Sequence, residues 1–174
     1  MDKTAFGVFA SLKTSKVQEE KYILTLKKMK VKVKRLNELA ELPKKAHESD
    51  FCYDVVAVSE EEVAPNVWKY GLGLAFQVER DNQNPIDICI DFRPRSSVWK
   101  TGMVLSNSLG TIDEGYRGEV SAVFYHINTN LPRYRVGDRI GQINLGFTQP
   151  MEFDVVDNLN PTDRGANGYG STGR

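Results

Sequence analysis

The stretch Ile86-Asp87-Ile88-Cys89-Ile90-Asp91-Phe92 alternates apolar and polar side chains without a break. Successive side chains of a β-strand point to opposite faces of a sheet, so this pattern predicts a strand with one apolar and one polar face. The three isoleucines and Phe92 would share the first face, and Asp87, Cys89 and Asp91 the second. The pattern favours a sheet over a helix at this point of the chain.

Similar β-prone runs recur along the rest of the sequence. Lys30–Lys34 has the same period of two, with valines between lysines. No long stretch repeats its apolar residues with the 3.6-residue period of a helix. The other strand candidates are Tyr22–Leu26, Phe51–Val58, Trp68–Val78 with breaks at Gly71 and Gly73, Val120–Ile127, Ile140–Phe147 and Met151–Val156.

Turn-forming residues separate these runs. We expect a loop over Asn37–Asp50, an exposed turn at Glu60–Glu62 and the proline after it, and a turn at Asp81–Pro85. Short strands at intervals of about 8–12 residues are typical of β-sandwiches and jelly rolls. The sequence therefore predicts an all-β, jelly-roll-like fold with at most one short helix, which would begin near Ser96 and Ser97, where hydroxyls can cap it.

The composition fits one domain with a terminal arm. The chain has 174 residues, 40% of them hydrophobic and 26% charged. No apolar run approaches the ~20 residues of a membrane span, and the N-terminus lacks the pattern of a secretory signal. Cys52 and Cys89 are too few for a disulfide framework and, with His47 and His126, do not suggest a structural metal site. We expect reduced thiols, no membrane contact and a cytoplasmic location.

The net charge of zero conceals an uneven distribution. Residues 1–35 hold ten Lys and Arg against three Asp and Glu, and the rest of the chain carries the balancing negative charge. Such a segment can contact nucleic acid, but solvated lysines on an arm or an edge strand are the commoner case. Residues 1–29 are therefore interpreted as a basic extension, with Met29 as an alternative start and nucleic-acid contact as the lesser hypothesis.

Three segments carry residues that suit chemistry better than packing. Pro94-Arg95-Ser96-Ser97 combines a guanidinium, two hydroxyls and backbone N–H groups at a strand end, which suits phosphate binding. Gly110–Gly118 is a glycine-punctuated turn with Asp113 and Tyr116 three residues apart. Arg164–Gly173 combines glycines with one arginine, one aromatic ring and two hydroxyls, so it could bring an arginine to a phosphate and a ring to a base.

Five segments resemble, in order and spacing, the five motifs of the homotrimeric all-β deoxyuridine triphosphatase (dUTPase) family. The match spans roughly residues 29–174 and implies a β-clip core at residues 30–156 and a mobile Gly-rich arm at residues 157–174 that closes over a neighbouring active site. The segments are Tyr53-Asp54-Val55, preceded by Phe51-Cys52 where Ala-Gly is usual; Pro94–Ser97; Asn107 with Ile112–Gly118; Gly137–Gln142, with Gly141 where alanine is usual; and Arg164–Gly173, with Tyr169 where phenylalanine is usual.

The resemblance implies an activity. The family hydrolyses dUTP to dUMP and pyrophosphate, which keeps uracil out of DNA and supplies dUMP for dTMP synthesis. Asp113 would be the base that positions and deprotonates the water attacking the α-phosphorus. The family also implies a homotrimer with active sites between subunits, and Mg²⁺ held by phosphates and waters rather than by a protein ligand set.

The resemblance also implies roles for the other motif residues. Tyr116 would pack beneath the deoxyribose and exclude a 2′-hydroxyl, and Tyr169 would stack on uracil. Asp54 would steady Arg95 and the water shell of the metal. The uracil edge would be read by Asn107 and by the backbone of Gly110, Thr111 and Ile112. The phosphate contacts would come from Arg95, Ser96, Ser97, Gln142, Arg164, Gly170, Ser171 and Thr172.

Two alternatives stay open at the level of sequence. A dCTP deaminase, or a bifunctional deaminase–triphosphatase, shares the fold and an Arg-Ser-Ser segment, but the Asp113–Tyr116 turn and the Gly-Tyr-Gly-Ser-Thr-Gly arm favour dUTP hydrolysis. A nucleotide-gated regulatory module belongs to another class, and only the basic extension favours it. Ammonia release from dCTP would identify the deaminase, and loss of partner binding on deletion of the extension would identify the module.

Overall fold

A computed structural model of the chain describes residues 29–80 and 86–167. The expected strand Tyr22–Leu26, the turn Asp81–Pro85 and most of the basic extension lie outside these ranges. The described residues form ten strands and one short 3₁₀ helix, Val98–Thr101. The strands are β1 (Val31–Arg35), β2 (Tyr53–Val56), β3 (Ser59–Ala64), β4 (Val67–Gly71), β5 (Leu74–Val78), β6 (Asp87–Pro94), β7 (Met103–Leu105), β8 (Gly110–Asp113), β9 (Ser121–His126) and β10 (Arg139–Thr148).

Every strand pairing is antiparallel, and the strands fall into three sheets. Sheet 1 has the strand order β2-β10-β6-β8, sheet 2 has the order β3-β4-β9-β7, and β1 pairs with β5. Most neighbours in sheet 1 are far apart in the sequence, so the chain crosses repeatedly between the two large sheets, as in jelly rolls. The predicted all-β fold is confirmed.

The longest ladder joins β6 to β10. It runs from Gly141 opposite Pro94 to Thr148 opposite Asp87. As the alternation predicts, the isoleucines and the phenylalanine of β6 enter the core. Burying each large apolar side chain contributes about 1.5–3 kcal/mol, so this face dominates the stability of the sheet. The largest fully buried side chains are Tyr70, Phe92, Phe124, Leu72, Leu74, Met103, Ile140, Val55 and Val120.

One buried polar cluster lies at the edge of the core. The Tyr70 hydroxyl donates a hydrogen bond of 2.8 Å to the carbonyl of Tyr134 and accepts one of 3.2 Å from Arg133. The Arg133 guanidinium lies 3.3 Å from the centroid of the Trp68 ring and donates to Glu60 at 3.0 Å. Arginine suits this position because its planar group can stack and hydrogen bond at once. The cluster joins β3 and β4 to the segment that precedes β10.

The short helix agrees with the sequence in position but not in its cap. Ser97 occupies the N-cap, yet its hydroxyl makes no capping hydrogen bond, and Gly102 ends the helix with φ 63°. Gly102 tolerates this left-handed conformation because it has no Cβ. In the described part of the chain no helix is long and apolar enough to cross a membrane.

Three sequence predictions of secondary structure were wrong. The turn predicted at Gly110–Gly118 begins later than expected, because Gly110–Asp113 forms β8. Glu60–Glu62 lies in β3, and the turn follows at Pro65–Asn66, where Asn66 has φ 59°. Charged residues are common on edge strands such as β3, and they hid its strand character. Met151–Val156 alternates like a strand but pairs with no strand among the described residues, and every residue from Gln149 to Asn167 is exposed. An alternating pattern predicts a strand only where a partner is available.

Glu60 should stabilise the fold in a pH-dependent way. Its hydrogen bond from Arg133 lowers the pKa of the Glu60 carboxyl below its ordinary value of 4.5. When folding lowers the pKa of a carboxyl, the ionised carboxyl stabilises the folded protein at pH values above its unfolded-state pKa. This stabilisation is lost as the pH falls through the folded-state pKa. We expect Glu60→Gln to reduce the free energy of unfolding by about 1–3 kcal/mol at neutral pH, and this deficit to shrink in acid.

Urea unfolding at pH 7 and at pH 3.5 would measure the two differences. Glu61→Gln is the matched control, because Glu61 is exposed and pairs only with the surface residue Lys69 in the described structure. A Glu60→Gln deficit of the same size at both pH values would contradict the role of the lowered pKa.

Candidate active site

The polar side chains of sheet 1 lie mainly on the face that points away from the core. Cross-strand partners and every second residue of a strand share one face. Asp91, nine-tenths buried, accepts hydrogen bonds from Thr111 at 3.3 Å and from Cys89 and Arg93 at 3.5 Å. The register therefore forms two polar rows across the sheet: Asp54, Gln142 and Arg93; and Asn144, Asp91 and Thr111.

One group of motif residues collects around Asp54. The Asp54 carboxylate accepts a hydrogen bond of 3.0 Å from Arg139, and its other oxygen lies 3.7 Å from Nε of Arg95. Gln142 is directly opposite Asp54 in the ladder between β2 and β10. One carboxylate thus orients two guanidinium groups and leaves a net positive charge, which suits binding of an anion.

Ser96 and Ser97 extend this group. They follow the end of β6, where the backbone turns so that Val98 N–H donates to the Arg95 carbonyl at 3.0 Å. The Ser96 side chain is exposed, and the Arg95 side chain keeps 30% of its surface exposed. We call Asp54, Arg95, Ser96, Ser97 and Gln142 the Arg95 group. Its guanidinium, hydroxyls and backbone amides are donors that could surround phosphate oxygens.

A second group lies on β8 and the turn after it. Tyr116 N–H donates to the Asp113 carbonyl at 3.0 Å, and the Tyr116 hydroxyl donates to the Glu119 carbonyl at 3.0 Å. We call residues 113–119 the Asp113 turn. The turn and β8 form an open cleft of about 210 Å³, which is large enough for one ring or sugar but not for a whole triphosphate. Its lining residues are Thr111, Ile112, Asp113, Tyr116, Glu119, Val120 and Ser121.

The segment before β8 connects the two large sheets. β7 belongs to sheet 2 and β8 to sheet 1, so the two strands are not paired with each other. Asn107 is exposed in the connection between the sheets, next to Ser108 with φ 58°. Gly110 begins β8 opposite Phe92. The backbone that we expect to contact the uracil edge therefore lies partly in the loop between the two sheets and partly in the paired strand β8.

Within one chain the two groups are far apart. Asp113 pairs with Cys89, near the start of β6, whereas Arg95 follows the end of that strand. The chain from Cys89 to Arg95 spans about 20 Å at ~3.3 Å per residue. Arg164 is exposed, and its recorded hydrogen bond goes to the carbonyl of Asn167. Four further expected ligands lie outside the described residues: Tyr169, Gly170, Ser171 and Thr172.

Three residues near these groups were missed by the sequence analysis. Arg139 lies inside the fourth motif, so the motif itself was the signal for it. Glu119 accepts a hydrogen bond of 2.7 Å from Gly73 N–H and thereby attaches the end of the Asp113 turn to the β4–β5 connection. Arg80 forms a bidentate ion pair with Glu114, at 2.7 and 3.1 Å. No local pattern marks Arg80 or Glu119, because each acts across a large sequence separation.

Two of the three departures from the family motifs are accommodated, and the third, Tyr169, lies outside the described residues. Cys52 does not need the backbone freedom of glycine, since the described non-glycine residues with positive φ are Asn66 and Ser108 alone. The Cys52 thiol lies 3.8 Å from the side-chain oxygen of Asn144. Gly141 leaves room for a neighbour, because a methyl group at this position would overlap the Phe92 ring.

The donor set fits a hard cation only when a ligand supplies oxygens. In residues 29–80 and 86–167, no three His, Cys, Asp or Glu side chains lie close enough to hold a metal alone. Mg²⁺ prefers oxygen ligands and commonly binds through phosphates and water, so a bound triphosphate could supply the oxygens that this chain alone does not bring together. Burial and the nearby Asp91 raise the pKa of the Cys89 thiol, which makes its thiolate, the form that binds metals, less accessible.

The same fold occurs in solved nucleotide hydrolases. The dUTPase of Staphylococcus bacteriophage 80alpha, solved with dUPNHPP, superposes with a TM-score of 0.70 at 20% identity, covering 83% of this chain and 99% of the phage chain. A dUTPase variant from phage phi11 of S. aureus superposes with a TM-score of 0.60 at 18% identity, covering 76% of this chain and 99% of the phage chain. Its structure describes the coordination of a structural Mg(II) ion. The architecture is therefore that of dUTPases.

Sequence comparison places the chain within that class. Residues 38–173 match the family described as dUTPase. The deoxyuridine 5′-triphosphate nucleotidohydrolase of Clostridium novyi is 35% identical over 147 residues, 83% of this chain and 99% of the relative. The protein of the same name from Gloeothece citriformis is 33% identical over 83% of this chain and 97% of its own length. The chain belongs to the dUTPase family.

The contact between Gly141 and Phe92 yields a test of the fourth motif. We expect Gly141→Ala to destabilise the fold by about 1–3 kcal/mol, because the added methyl overpacks the core. Phe92→Leu frees that space, so the double variant should be more stable than the sum of the single effects predicts. Urea unfolding of the four proteins measures the coupling, with Gly115→Ala as control, where an added methyl meets no atom within 4 Å. Additive effects would contradict the packing argument.

Proposed function

We propose that the chain is a dUTP diphosphatase, a nucleoside triphosphate pyrophosphohydrolase that converts dUTP to dUMP and pyrophosphate. The observation that carries the proposal is the pairing of an exposed carboxylate, Asp113, with an aromatic ring, Tyr116, in one cleft beside the backbone of β8. Family membership and relatives named for this reaction support it.

Asp113 acts as the base in this proposal. Its carboxylate orients a water molecule and accepts a proton as the water oxygen attacks the α-phosphorus. The bond between the α-phosphorus and the bridging oxygen breaks, and pyrophosphate leaves with that oxygen. Arg95 and Ser96 stabilise the negative charge that develops on the bridge. Asp54 supports this step by holding the Arg95 side chain.

The Asp113 turn and β8 select the nucleoside. The Tyr116 ring packs beneath the deoxyribose and leaves no room for a 2′-hydroxyl. Asn107 and the backbone of Gly110, Thr111 and Ile112 present donors and acceptors to the uracil edge. Because cytosine would leave these groups unpaired, discrimination against dCTP should be strong.

A complete site needs more than one copy of the chain. Asp113 and the Arg95 group are about 20 Å apart along β6, so neighbouring subunits would supply them to one nucleotide, as in the family's homotrimers. The exposed, alternating Met151, Phe153 and Val155 support an exchange between subunits, since they have an apolar face and no strand partner within the described residues. This segment leads into the arm.

The core of this proposed enzyme comprises residues 30–156, and the arm comprises residues 157–174. The arm closes over a neighbouring site, where Arg164, Gly170, Ser171 and Thr172 hold the phosphates and Tyr169 stacks on uracil. Gln142 adds a polar contact on the phosphate side. Bound Mg²⁺ would neutralise phosphate charge, with Asp54 holding its water shell. We place this activity in the cytoplasm.

Substrate specificity is the first test. With Mg²⁺ present, wild-type protein should release pyrophosphate from dUTP but not from dCTP, dTTP or UTP. Asp113→Asn should slow the reaction by about 10²–10⁴-fold, the usual effect of losing a general base. Coupled pyrophosphate detection measures both results. Consumption of dCTP with release of ammonia would identify a deaminase, and binding of dUTP without turnover would favour a nucleotide-gated module.

Complementation tests the shared site. Asp113→Asn and Arg95→Gln chains should each be nearly inactive alone. Randomly mixed trimers should regain about one quarter of the wild-type rate, because a site is intact when one subunit keeps Asp113 and its neighbour keeps Arg95. Refolding the mixed variants and measuring dUTP hydrolysis checks this, with trimers refolded from each single variant as controls. If the mixed trimers were no more active than trimers of either single variant, Asp113 and Arg95 would act in a site that one subunit builds alone.

A further inference from the structure

We propose that Arg80, which lies outside all five motifs, is a positioning residue for the reaction. It acts through Glu114 to fix the Asp113 turn, and so sets the relative orientation of Asp113 and Tyr116. This inference rests on the proposed hydrolysis of dUTP, but it concerns a residue to which the family motifs give no role.

The contact between Arg80 and Glu114 is well suited to fixing an orientation. Nε of Arg80 donates to one Glu114 oxygen at 3.1 Å, and a terminal nitrogen donates to the other at 2.7 Å. The same terminal nitrogen lies 3.5 Å from Asp87. A two-point contact between planar groups restricts rotation as well as distance, which a single charge contact cannot do.

Arg80, Glu114 and Asp87 lie together where the pairing of β6 with β8 ends and the Asp113 turn begins. Asp87 begins β6, and Glu114 is the first residue after β8. The last recorded pair between these strands is Cys89 opposite Asp113. Beyond that pair the backbone loses its ladder hydrogen bonds, and Arg80 joins the two strands instead. Arg80 itself follows β5 closely, so it joins the turn to a strand outside sheet 1.

The rest of the turn is held at other points. Arg117 donates to the carbonyls of Glu114 and Tyr116 within the turn, and Glu119 attaches its far end to Gly73. Among the described residues, the ion pair between Arg80 and Glu114 is therefore the tertiary side-chain contact that lies nearest to Asp113 in the sequence of the turn. A displacement of about 1 Å at a reacting group can cost up to 10²-fold in rate, so the loss of this contact should be visible in catalysis.

The main alternative is an ion pair that only stabilises the fold. The Arg80 and Glu114 side chains keep 29% and 34% of their surface exposed, and partly exposed pairs contribute little to stability. The two readings differ in what a substitution changes. A positioning role lowers kcat at unchanged stability, whereas a purely stabilising role lowers the unfolding midpoint and leaves kcat intact.

The test compares steady-state kinetics and thermal unfolding of full-length variants. We expect Arg80→Gln to lower kcat for dUTP about tenfold with a smaller change in KM, and Arg80→Lys to give an intermediate value, since lysine keeps the charge but not the fork. Reversing the pair, with Arg80→Glu and Glu114→Arg together, should recover part of the loss. Lys69→Gln, which breaks the ion pair to Glu61 on sheet 2, is the matched control and should leave kcat unchanged.

A double-mutant cycle shows whether Arg80 acts through Asp113. In the Asp113→Asn background, Arg80→Gln should cause little further loss, because the group being positioned is already absent. An undiminished tenfold loss in that background, or a wild-type kcat in Arg80→Gln, would overturn the proposal.

Amide hydrogen exchange of residues 113–119 keeps the proposal separate from the proposed function. Arg80→Gln should speed exchange in this segment about tenfold, relative to wild type and to Lys69→Gln. If wild-type protein does not hydrolyse dUTP, the proposed function fails, and the exchange rates alone decide whether Arg80 orders the turn. Unchanged exchange would overturn the inference whatever the activity.

Discussion

The ladder between β6 and β10 is the constraint on which the rest of the structure depends. Its register opposes Gly141 to Pro94 and Asn144 to Asp91. A shift of one residue would turn the apolar face of one strand to solvent and carry its buried polar side chains into the core, which no local adjustment could offset. Because β10 also pairs with β2, the same register brings Gln142 beside Asp54. The core and the polar end of the sheet around Asp54 are therefore set together.

The sheet carries two sets of chemical groups at the opposite ends of one strand. The Arg95 group, together with Arg139, carries a net positive charge at one end, and the Asp113 turn carries a carboxylate and an aromatic ring at the other. A rigid sheet holds each set accurately, but it also prevents them from closing on a single small ligand. In the proposed homotrimer, a neighbouring chain would supply the second set without any internal movement of the sheet.

The sequence predicted the strands that have a periodic pattern of apolar residues, and it missed the structural features that have no such pattern. The alternation of Ile86–Phe92 revealed a strand because its apolar face enters the core. β3 escaped notice because an edge strand exposes most of its side chains, and Met151–Val156 misled because its pattern implies a partner that the described chain lacks. The motifs identified Asp113 and Arg95, yet Arg80 and Glu119 could not be found, since long-range ion pairs and side-chain caps leave no periodic trace.

The fit of the Phe92 ring against Gly141 limits how this chain can diverge from its relatives. A chain with alanine in place of Gly141 has no space for the Phe92 ring in this orientation. Alanine at position 141 with the Phe92 ring still present would crowd the core. A smaller side chain at position 92 with Gly141 still present would leave a cavity, so either change made alone destabilises the protein. The two positions should therefore be inherited as a pair: family members with alanine at the first should have a smaller side chain at the second.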